Sequence, residues 1–344
     1  MQLQPDLDFR SDTVTKPCAG MRAAMARAEV GDDYYRDDPT VEELERYAAD
    51  LFEKEAALLT TSGTQSNLVA IMAHCQRGDA HLVGSRSHSY NQELGGVAMV
   101  AGVQPQVVPN RNDGTLHAED IRASLLPASI LHAHPRLIAL ENTIDGMVLP
   151  LDYLDGIAEL AGAHRLKIHI DGARIFNAAT ALDVSVAEIA KHGDSVSFCL
   201  SKGLGAPVGS VLVGSHELIE KARRHRQMLG GGMRQAGILA AAGLYALQHN
   251  VSRLKTDHAR ADTLASALSS IPGLKVDPPQ TNIVFSDVDT AMQDSVAAYL
   301  QENGIRVSGK PDRLRWVTHL GLDDAVLNQT LTLLSRMPEA LHAH

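Results

Sequence analysis

Short apolar segments that end in polar side chains, and that alternate with helical patterns, constrain the fold of this chain more than any other feature. β-prone runs of five or six residues occupy positions 56–60, 80–84, 136–140, 166–170 and 195–200. Amphipathic helical patterns separate them, as at 152–164. This alternation is typical of an α/β protein with a doubly wound, largely parallel sheet, in which residues just beyond the strand ends line the ligand crevice.

A lysine follows the last of these segments. Residues 195–200 run into Ser201 and Lys202, and two glycines and a proline come next. Desolvation in a dry, concave site disfavours the ammonium form of a lysine, which makes the amine available to form an imine with a carbonyl compound. The same segment also fits a surface lysine after an ordinary strand.

Asp171 follows the segment at 166–170 and precedes Gly172. In an open α/β sheet, Asp171 and Lys202 are expected to face the same crevice. A lysine for a Schiff base and a carboxylate for a pyridinium nitrogen are the two groups that pyridoxal phosphate requires. Taken without the lysine, an aspartate before a glycine equally fits a helix cap or a turn.

Three further strand ends carry candidate binding groups. Ser62, Gly63 and Thr64 open a helical pattern, and their backbone N–H groups and hydroxyls suit a phosphate, although such residues also simply cap helices. His88 lies past the second strand, where an imidazole either stacks on an aromatic cofactor, handles a proton, or sits in an exposed loop. Glu141 ends the third strand in the same manner.

Charge and cysteine content exclude several classes of partner. The 344 residues include 31 basic and 41 acidic side chains, a formal charge of −10, which offers no field for nucleic acid or anionic lipid. No apolar run approaches the roughly 18 residues of a membrane span. Three cysteines without metal-ligand spacing, and His132 and His134 without a third ligand, give no metal site. We expect a cytoplasmic, soluble protein that acts on a small molecule.

Changes in composition and pattern along the sequence divide the chain into three parts. Residues 1–19 form an arm rich in turn formers, and its polar residues, Ser11 among them, either reach into a site or form a disordered terminus. Residues 20–250 contain the alternating strands and helices of a large domain. A long polar helix and several strands follow, which indicates a smaller α+β domain at 251–344.

Two arginines outside the sheet are candidate anion ligands. Arg234 follows three glycines, which either let the side chain approach an anion closely or form a hinge. Arg315 lies between Leu314 and Trp316 in a predicted strand and points to the opposite face from both. There it either binds a carboxylate with both donors of its fork or lies exposed on an edge strand.

Motifs across nearly the whole chain resemble the low-specificity L-threonine aldolases. They are RSDTVT at 10–15, GDD at 31–33, DPTV at 38–41, SGTQ at 62–65, ENT at 141–143, DGARIFN at 171–177, CLSKGLG at 199–205 and GGGMRQ at 230–235. Those enzymes have the fold type I architecture, with a large domain whose mostly parallel sheet lies between helices and a smaller C-terminal α+β domain. They use pyridoxal phosphate to cleave L-threonine and L-allo-threonine to glycine and acetaldehyde.

The resemblance implies a role for each candidate residue. Lys202 would carry the Schiff base, Asp171 would pair with the pyridinium nitrogen, and His88 would stack on the ring. The remaining assignments are Ser62, Gly63, Thr64 and, from a neighbouring subunit, Arg234 for the phosphate, Glu141 and Arg174 for the cofactor, and Ser11, Tyr35, Arg174 and Arg315 for the substrate. The resemblance also implies a homotetramer, a dimer of dimers with sites at the dimer interface.

Three departures from the family pattern bear on substrate range. Ile144-Asp145 replaces a frequent His-Asn pair, and YYR at 34–36 replaces Val-Tyr-Gly. Leu131 stands where relatives often have a histidine that helps bind the β-hydroxyl, with His132 and His134 nearby. The sequence therefore constrains the chemistry more tightly than the substrate.

Other functions share part of this constellation. Amino-acid racemases, β-eliminating lyases and aminotransferases on the same scaffold also use a lysine and an aspartate such as Lys202 and Asp171. A non-catalytic ligand-binding relative has no need of an imine-forming amine. We interpret the chain as a pyridoxal phosphate-dependent aldehyde-lyase, in which His88 is either the base for the β-hydroxyl proton or a stacking residue only.

Overall fold

The computed structural model describes residues 6–126 and 129–342. Its helices are α1 (Ala19–Arg27), α2 (Pro39–Leu51), α3 (Gly63–His74), α4 (His88–Asn91), α5 (Ala118–Ser124), α6 (Leu151–His164), α7 (Ile175–Leu182), α8 (Val186–Ala190), α9 (His216–Met228), α10 (Gly237–His249), α11 (Leu254–Ser269), α12 (Gln293–Glu302) and α13 (Asp324–His342). Its strands are β1 (Ala56–Thr60), β2 (Asp79–Gly84), β3 (Gln104–Val108), β4 (His134–Glu141), β5 (Lys167–Asp171), β6 (Ser195–Cys199), β7 (Ser210–Gly214), β8 (Leu274–Val276), β9 (Ile283–Val288), β10 (Ser308–Lys310) and β11 (Arg313–Val317).

Seven strands form one mixed sheet in the order β1-β7-β6-β5-β4-β2-β3. Strands β3, β2, β4, β5 and β6 run parallel to one another, whereas β7 is antiparallel to both β6 and β1. The predicted α/β fold with a mostly parallel sheet is confirmed. The sequence analysis missed β3 because this edge strand buries only Val108 and contains Pro105, so no apolar run marks it.

Helices cover both faces of this sheet, as the side-chain alternation along its strands requires. In β7, Val211 and Val213 pack in one hydrophobic cluster with residues of α2 and α10. Leu212 between them packs with residues of α3 and α9 in a separate cluster. Strands β6 and β7 are buried at every position, which explains why their sequences are continuous apolar runs rather than alternating ones.

The second sheet is antiparallel, with its strands in the order β10-β11-β9-β8. Helices α11, α12 and α13 contribute to its hydrophobic cluster around the fully buried Trp316. Leu254 at the start of α11 belongs to the cluster of the first sheet, whereas Ala261 belongs to that of the second. Helix α11 therefore runs from one hydrophobic core into the other, and the division at residues 250 and 251 stays our interpretation.

The N-terminal arm packs on the second sheet from residue 7 onward. Phe9 is fully buried and lies edge-on to Trp316, with ring centroids 5.8 Å apart. Its N–H donates to the Arg306 carbonyl at 2.7 Å, and its carbonyl accepts the Val317 N–H at 2.9 Å. Arg306 forms an isolated parallel bridge with Asp8 of the arm, and β10 begins only at Ser308.

Local capping chemistry sets the start of two helices near the site. Asp38 caps α2 by accepting the Val41 N–H at 3.1 Å, with Pro39 as the first helical residue. Thr40, the second residue of α2, does not cap the helix; its hydroxyl donates to the Glu29 carbonyl at 2.6 Å. Ser62 caps α3 by accepting the Gln65 N–H at 3.1 Å. Within the described ranges, no helix combines the length and apolarity needed to cross a membrane.

Candidate cofactor and active site

The predicted crevice lies at the carboxyl ends of β4, β5 and β6. Glu141 is the last residue of β4 and pairs in register with Asp171, the last residue of β5. Strand β6 ends at Cys199, and the partly buried Lys202 follows three positions later. Lys202 is close enough to Glu141 to act on it electrostatically. These three strand ends therefore bring an amine and two carboxyl groups together, as the sequence predicts.

Asp171 is a buried carboxylate with neutral hydrogen-bond donors. Its Oδ2 accepts from Asn67 Nδ2 at 2.7 Å, and its Oδ1 accepts the Ala173 N–H at 3.0 Å. The side chain belongs to a residue that is 5% exposed, and no salt bridge of Asp171 occurs among the described residues. A buried carboxylate of this kind is favourable when a cation completes its contacts, which a protonated pyridine nitrogen does.

Glu141 and Asp171 lie close enough to affect each other's ionisation. Burial and the Asp171 carboxylate raise the pKa of Glu141 to about 8. Glu141 Oε2 accepts the backbone N–H of His88 at 2.7 Å, which fixes the start of α4 against the end of β4. The raised pKa of Glu141 favours the protonated form of its carboxyl group near neutral pH.

The first turn of α3 faces the segment that leads to Lys202. A Cβ atom added at Gly63 would lie 2.9 Å from Cys199 Sγ, so glycine allows α3 to start directly against the end of β6. The backbone N–H groups at the start of a 12-residue helix carry its positive dipole end and suit a phosphate. Together with the amine of Lys202 and the carboxylate of Asp171, this donor set fits pyridoxal phosphate.

His88 lies in the same cluster as Asp171. Its Nδ1 is 2.9 Å from Glu93 Oε1, and one donor atom each from His88, Glu93 and Asp171 lie within 4.8 Å of one another. Asn67 Nδ2 also donates to Glu93 Oε1 at 3.0 Å. Neither Asn67 nor Glu93 was predicted from the sequence. Glu93 follows His88 by five positions in a loop, and this spacing matches no helix or strand period that would mark Glu93 as a site residue.

The arm contacts the site through Asp12 and Thr15. Arg174 Nε and Nη2 bind the two oxygens of Asp12 at 2.8 and 2.6 Å. Burial opposes the charge of Asp12, but the Arg174 guanidinium and the Lys202 ammonium hold its pKa far below the usual range. Thr15 Oγ1 donates to the Lys202 carbonyl at 3.1 Å. Of the two sequence interpretations of the arm, these contacts favour the one in which it reaches the predicted site.

Arg315 carries a charge that the protein leaves without a salt bridge in the described ranges. Burial and the nearby Arg174 guanidinium lower the pKa of Arg315 to about 10. Its Nη1 donates to the Arg10 carbonyl at 3.3 Å, a weak contact. Because Asp12 already neutralises Arg174, an added anion would stabilise Arg315 most. Ser11 follows Arg10 in the chain; its hydroxyl donates to Asp12 Oδ1 at 3.4 Å and accepts the Thr13 N–H at 3.2 Å.

Tyr35 and Arg234 lie apart from these residues within one chain. Tyr35 is 73% exposed. Arg234 Nη1 binds Asp32 Oδ1 at 2.9 Å, and its guanidinium lies 5.1 Å from the centre of the Tyr34 ring. Neither Tyr35 nor Arg234 contacts Lys202 or Asp171 in the described chain. Their predicted roles require a second subunit and stay predictions.

The structure locates two of the three sequence departures at or away from the site. Ile144 is buried at 2% exposure, whereas Asp145 beside it faces Arg86 at 3.9 Å and acts electrostatically on Arg315. Asp145 therefore lies at the rim of the candidate site, next to a cavity of about 540 Å³ that it lines together with Arg86. Leu131 and His134 lie at the amino end of β4, opposite to the site.

Comparisons with known proteins agree with this geometry. A family described as β-eliminating lyase matches residues 8–291. The low-specificity L-threonine aldolase of Escherichia coli (strain K12) is 46% identical over 314 residues, which cover 91% of this chain and 94% of the relative. The low-specificity L-threonine aldolase 1 of Arabidopsis thaliana is 44% identical over 338 residues, covering 95% and 94%.

Two solved structures have the same fold. The threonine aldolase of Leishmania major superposes with a TM-score of 0.84 at 21% identity, covering 96% of this chain and 99% of that one. A putative L-allo-threonine aldolase of Listeria monocytogenes gives a TM-score of 0.79 at 18% identity, covering 96% and 97%. At these identities the superpositions establish the fold type I architecture and no finer property.

Proposed function

The chain belongs to the β-eliminating lyase family, and from that premise we propose that it cleaves L-threonine and L-allo-threonine to glycine and acetaldehyde. Related β-hydroxy-α-amino acids give the matching aldehyde. The observation that carries this proposal is the 46% identity to a low-specificity L-threonine aldolase over 91% of the chain. The placement of Lys202 and Asp171 at neighbouring strand ends supports it. The protein is a pyridoxal phosphate-dependent lyase.

Bound pyridoxal phosphate supplies an aldehyde for imine formation and a conjugated ring that stabilises negative charge at Cα. Lys202 would hold it covalently, and Asp171 would bind its ring nitrogen. Glu141 and the first turn of α3, with Ser62, Gly63 and Thr64, would hold the rest of the group. We assign Arg234 of a second subunit to the phosphate and His88 to the face of the ring.

The arginines near the arm orient the substrate. Arg315 binds the substrate carboxylate, supported by its lowered pKa and its lack of a salt bridge among the described residues. Ser11 adds a hydroxyl, and Arg174 adds positive charge while it holds Asp12. A carboxylate fixed at this position orients the Cα–Cβ bond for cleavage, because only a bond perpendicular to a conjugated ring loses its electrons into that ring.

His88 accepts the β-hydroxyl proton in this proposal. The ring lies at the rim of the cluster, with 36% of its side chain exposed. Imidazole is the side chain that most often serves as a general base in enzymes. The other interpretation, in which His88 only stacks on the cofactor, predicts that its replacement by another flat ring preserves turnover.

We also propose a dimer of dimers in which Tyr35 and Arg234 of one subunit complete the site of another. The exposure of both side chains supports this, since an exposed tyrosine and arginine in one chain are available to a second. A cytoplasmic location is supported by three cysteines that form no disulfide. Sedimentation of wild-type protein and of Arg234→Ala separates loss of assembly from loss of phosphate binding.

Product analysis tests the function. Purified protein with added pyridoxal phosphate is incubated with L-threonine, L-allo-threonine and, as the control, D-threonine. We expect equimolar glycine and acetaldehyde from the L-isomers only. Racemised threonine, 2-oxobutanoate or a transaminated product in place of glycine would contradict the proposal and assign the chain to a racemase, a β-eliminating lyase or an aminotransferase.

A further inference from the structure

A buried polar cluster behind His88 links it to Asp171. The Glu93 side chain is 2% exposed, and its Oε1 lies 2.9 Å from His88 Nδ1 and 3.0 Å from Asn67 Nδ2. Asn67 Nδ2 lies 2.7 Å from Asp171 Oδ2. A single amide group, 1% exposed as a residue, therefore donates to two carboxyl groups.

The chemistry of these neighbours fixes the orientation of the Asn67 amide. Its Oδ1 lies 2.8 Å from the Ser197 hydroxyl and 3.1 Å from His169 Nε2, both of which are able to donate. Its Nδ2 lies 2.7 Å from Asp171 Oδ2, a carboxyl oxygen that accepts the hydrogen bond. The reverse orientation would place the amide oxygen against that carboxylate. Asn67 therefore donates to Asp171 and Glu93. The chemistry of its partners determines which amide atom is the nitrogen and which is the oxygen.

The orientation of Asn67 determines the proton position on His88. Glu93 Oε1 accepts a hydrogen bond from Asn67, and when the group is ionised or carries a proton on Oε2 it accepts a second one from His88. In those states His88 donates from Nδ1. A neutral imidazole has one N–H, so with the proton on Nδ1 the Nε2 atom keeps its lone pair.

We propose that Glu93 is a positioning residue that holds His88 in the Nδ1–H tautomer, so that Nε2 is the base that accepts the β-hydroxyl proton. This inference rests on the proposed function. The O–H bond breaks, the oxygen's electron pair becomes the second bond of the aldehyde carbonyl, and the proton moves to Nε2. The electron pair of the Cα–Cβ bond stays with the amino-acid fragment. Protonation of that fragment at Cα restores the proton balance, because the hydroxyl proton formally replaces Cβ.

Carboxyl groups lie close to His88, and those that are ionised stabilise a transient positive charge on its ring. Glu93 faces Nδ1, Glu141 accepts the His88 backbone N–H at 2.7 Å, and the Asp171 carboxylate belongs to the same 4.8 Å cluster. Nδ1–H stays on Glu93 before and after proton transfer, so the ring does not rotate during the reaction. A carboxyl group that orients a catalytic imidazole in this manner is known to matter strongly for rate.

The first test measures the tautomer directly, with and without the cofactor. Protein labelled with ¹⁵N in its histidine rings is studied by long-range ¹H–¹⁵N correlation spectra, and His88 is assigned by the loss of its signals in His88→Gln. We expect an Nδ1–H tautomer in the wild type. Glu93→Gln keeps an acceptor oxygen and is expected to retain it, whereas Glu93→Leu is expected to lose it. A wild-type His88 with its proton on Nε2 overturns the inference.

The second test separates the β-hydroxyl step from the rest of the chemistry. The variants are compared in threonine cleavage and in exchange of the glycine α-proton with deuterated water, a reaction that involves no β-hydroxyl. We expect Glu93→Leu to lower kcat for cleavage by about 10–100-fold with little change in KM or in glycine exchange. Glu93→Gln should recover much of the cleavage rate. Equal losses in both reactions would contradict a role at the β-hydroxyl.

A matched control is Glu45→Leu. Glu45 is also a buried carboxyl group, but it contacts the Leu59 N–H and Arg223 rather than any candidate site residue. Glu45→Leu is expected to lower thermal stability while the ratio of the threonine cleavage rate to the glycine exchange rate stays as in the wild type. Wild-type protein that exchanges the glycine proton but releases no acetaldehyde would overturn the proposed function, whereas an Nε2–H tautomer overturns the role of Glu93 alone.

Discussion

The two arginines near the arm differ in what balances their charge. Arg174 is neutralised by the fully buried Asp12 in a two-point contact. Arg315 has burial and a second cation against it, which lower its pKa to about 10. The Arg174 guanidinium is thus paired with a carboxylate, whereas the positive charge of Arg315 is not compensated by a salt bridge within the described residues. An amino-acid carboxylate supplies the matching negative charge.

Arg315→Lys tests the carboxylate site. Lysine keeps the charge but loses the planar fork, so the two-point contact with a carboxylate is lost. Because hydrogen bonds to charged groups contribute about 1.5–3 kcal/mol, we expect KM for L-threonine to rise by roughly 10–100-fold. Steady-state kinetics measure this, with Arg313→Lys in the same strand as the control. An unchanged KM would place the carboxylate elsewhere.

Glu141 makes the stability of the cofactor-free protein depend on pH. Its folded-state pKa of about 8 lies above the usual 4.5, so the folded protein holds a proton that the unfolded chain releases. This contribution to stability is complete below about pH 4.5 and is lost as the pH rises through 8. Glu141→Gln removes the titration and keeps the acceptor for the His88 N–H.

We therefore expect Glu141→Gln and wild type to unfold at similar temperatures near pH 5, and the variant to unfold roughly 2 °C higher near pH 8.5. Thermal unfolding of the cofactor-free proteins measures the difference. A variant that gains stability at the lower pH instead would show that Glu141 is ionised in the folded protein.

At the scale of elements, the start of α3 and the end of β6 form one unit. Ser62 caps the helix, Gly63 lets it touch Cys199, and Cys199 leads to the Lys202 loop. A phosphate bound at the helix start would thus be positioned relative to the lysine by direct packing. The sequence predicted the start of α3 and the Lys202 loop, because each follows an apolar strand. It did not predict the contact between Gly63 and Cys199.

Gly63→Ala tests that contact. The added methyl group would lie 2.9 Å from Cys199 Sγ, and overpacking of this kind costs about 1–3 kcal/mol. We expect about a tenfold weaker affinity for pyridoxal phosphate, measured by fluorescence titration. Removal of the sulfur in Gly63→Ala/Cys199→Ala should recover part of it. If the double variant is no better than the single one, the helix start does not depend on this packing.

At the scale of the whole molecule, the arm connects the second hydrophobic core to the site. Phe9 is buried against Trp316, and three residues later Asp12 binds Arg174. Asn282 at the edge of the second sheet also donates to Asp12 at 3.4 Å. The position of the second core therefore affects the geometry of the substrate arginines, since Arg315 is itself on β11.

Phe9→Ala is expected to destabilise the protein by about 3–5 kcal/mol and also to raise KM for threonine, because the arm then holds Ser11 and Asp12 less firmly. Leu300→Ala provides the comparison, since Leu300 is 4% exposed in the same core and lies on α12 rather than on the arm. It should lower stability alone. Equal KM values in both variants would show that the arm does not transmit the packing of this core.

Sequence patterns predicted the sheet and the residues that follow its strands, because an apolar run with a polar end is a local signal. Contacts between distant segments carry no such signal. Asp12 and Arg174 are 162 positions apart and were assigned no pairing. Asn67 lies on an amphipathic helix, where a polar residue looks like one on the solvent side, yet it is 1% exposed. The resemblance to threonine aldolases supplied roles that local patterns left open.

The attachment site of the cofactor is the most direct test of a catalytic site built around Lys202. Protein incubated with pyridoxal phosphate is reduced with borohydride, digested and mapped by mass spectrometry. We predict that the reduced cofactor is bound to the peptide that contains Lys202, and that Lys202→Ala carries no label and releases no acetaldehyde from L-threonine. A label on another lysine, or full activity of Lys202→Ala, would contradict a catalytic site at the carboxyl ends of β4, β5 and β6.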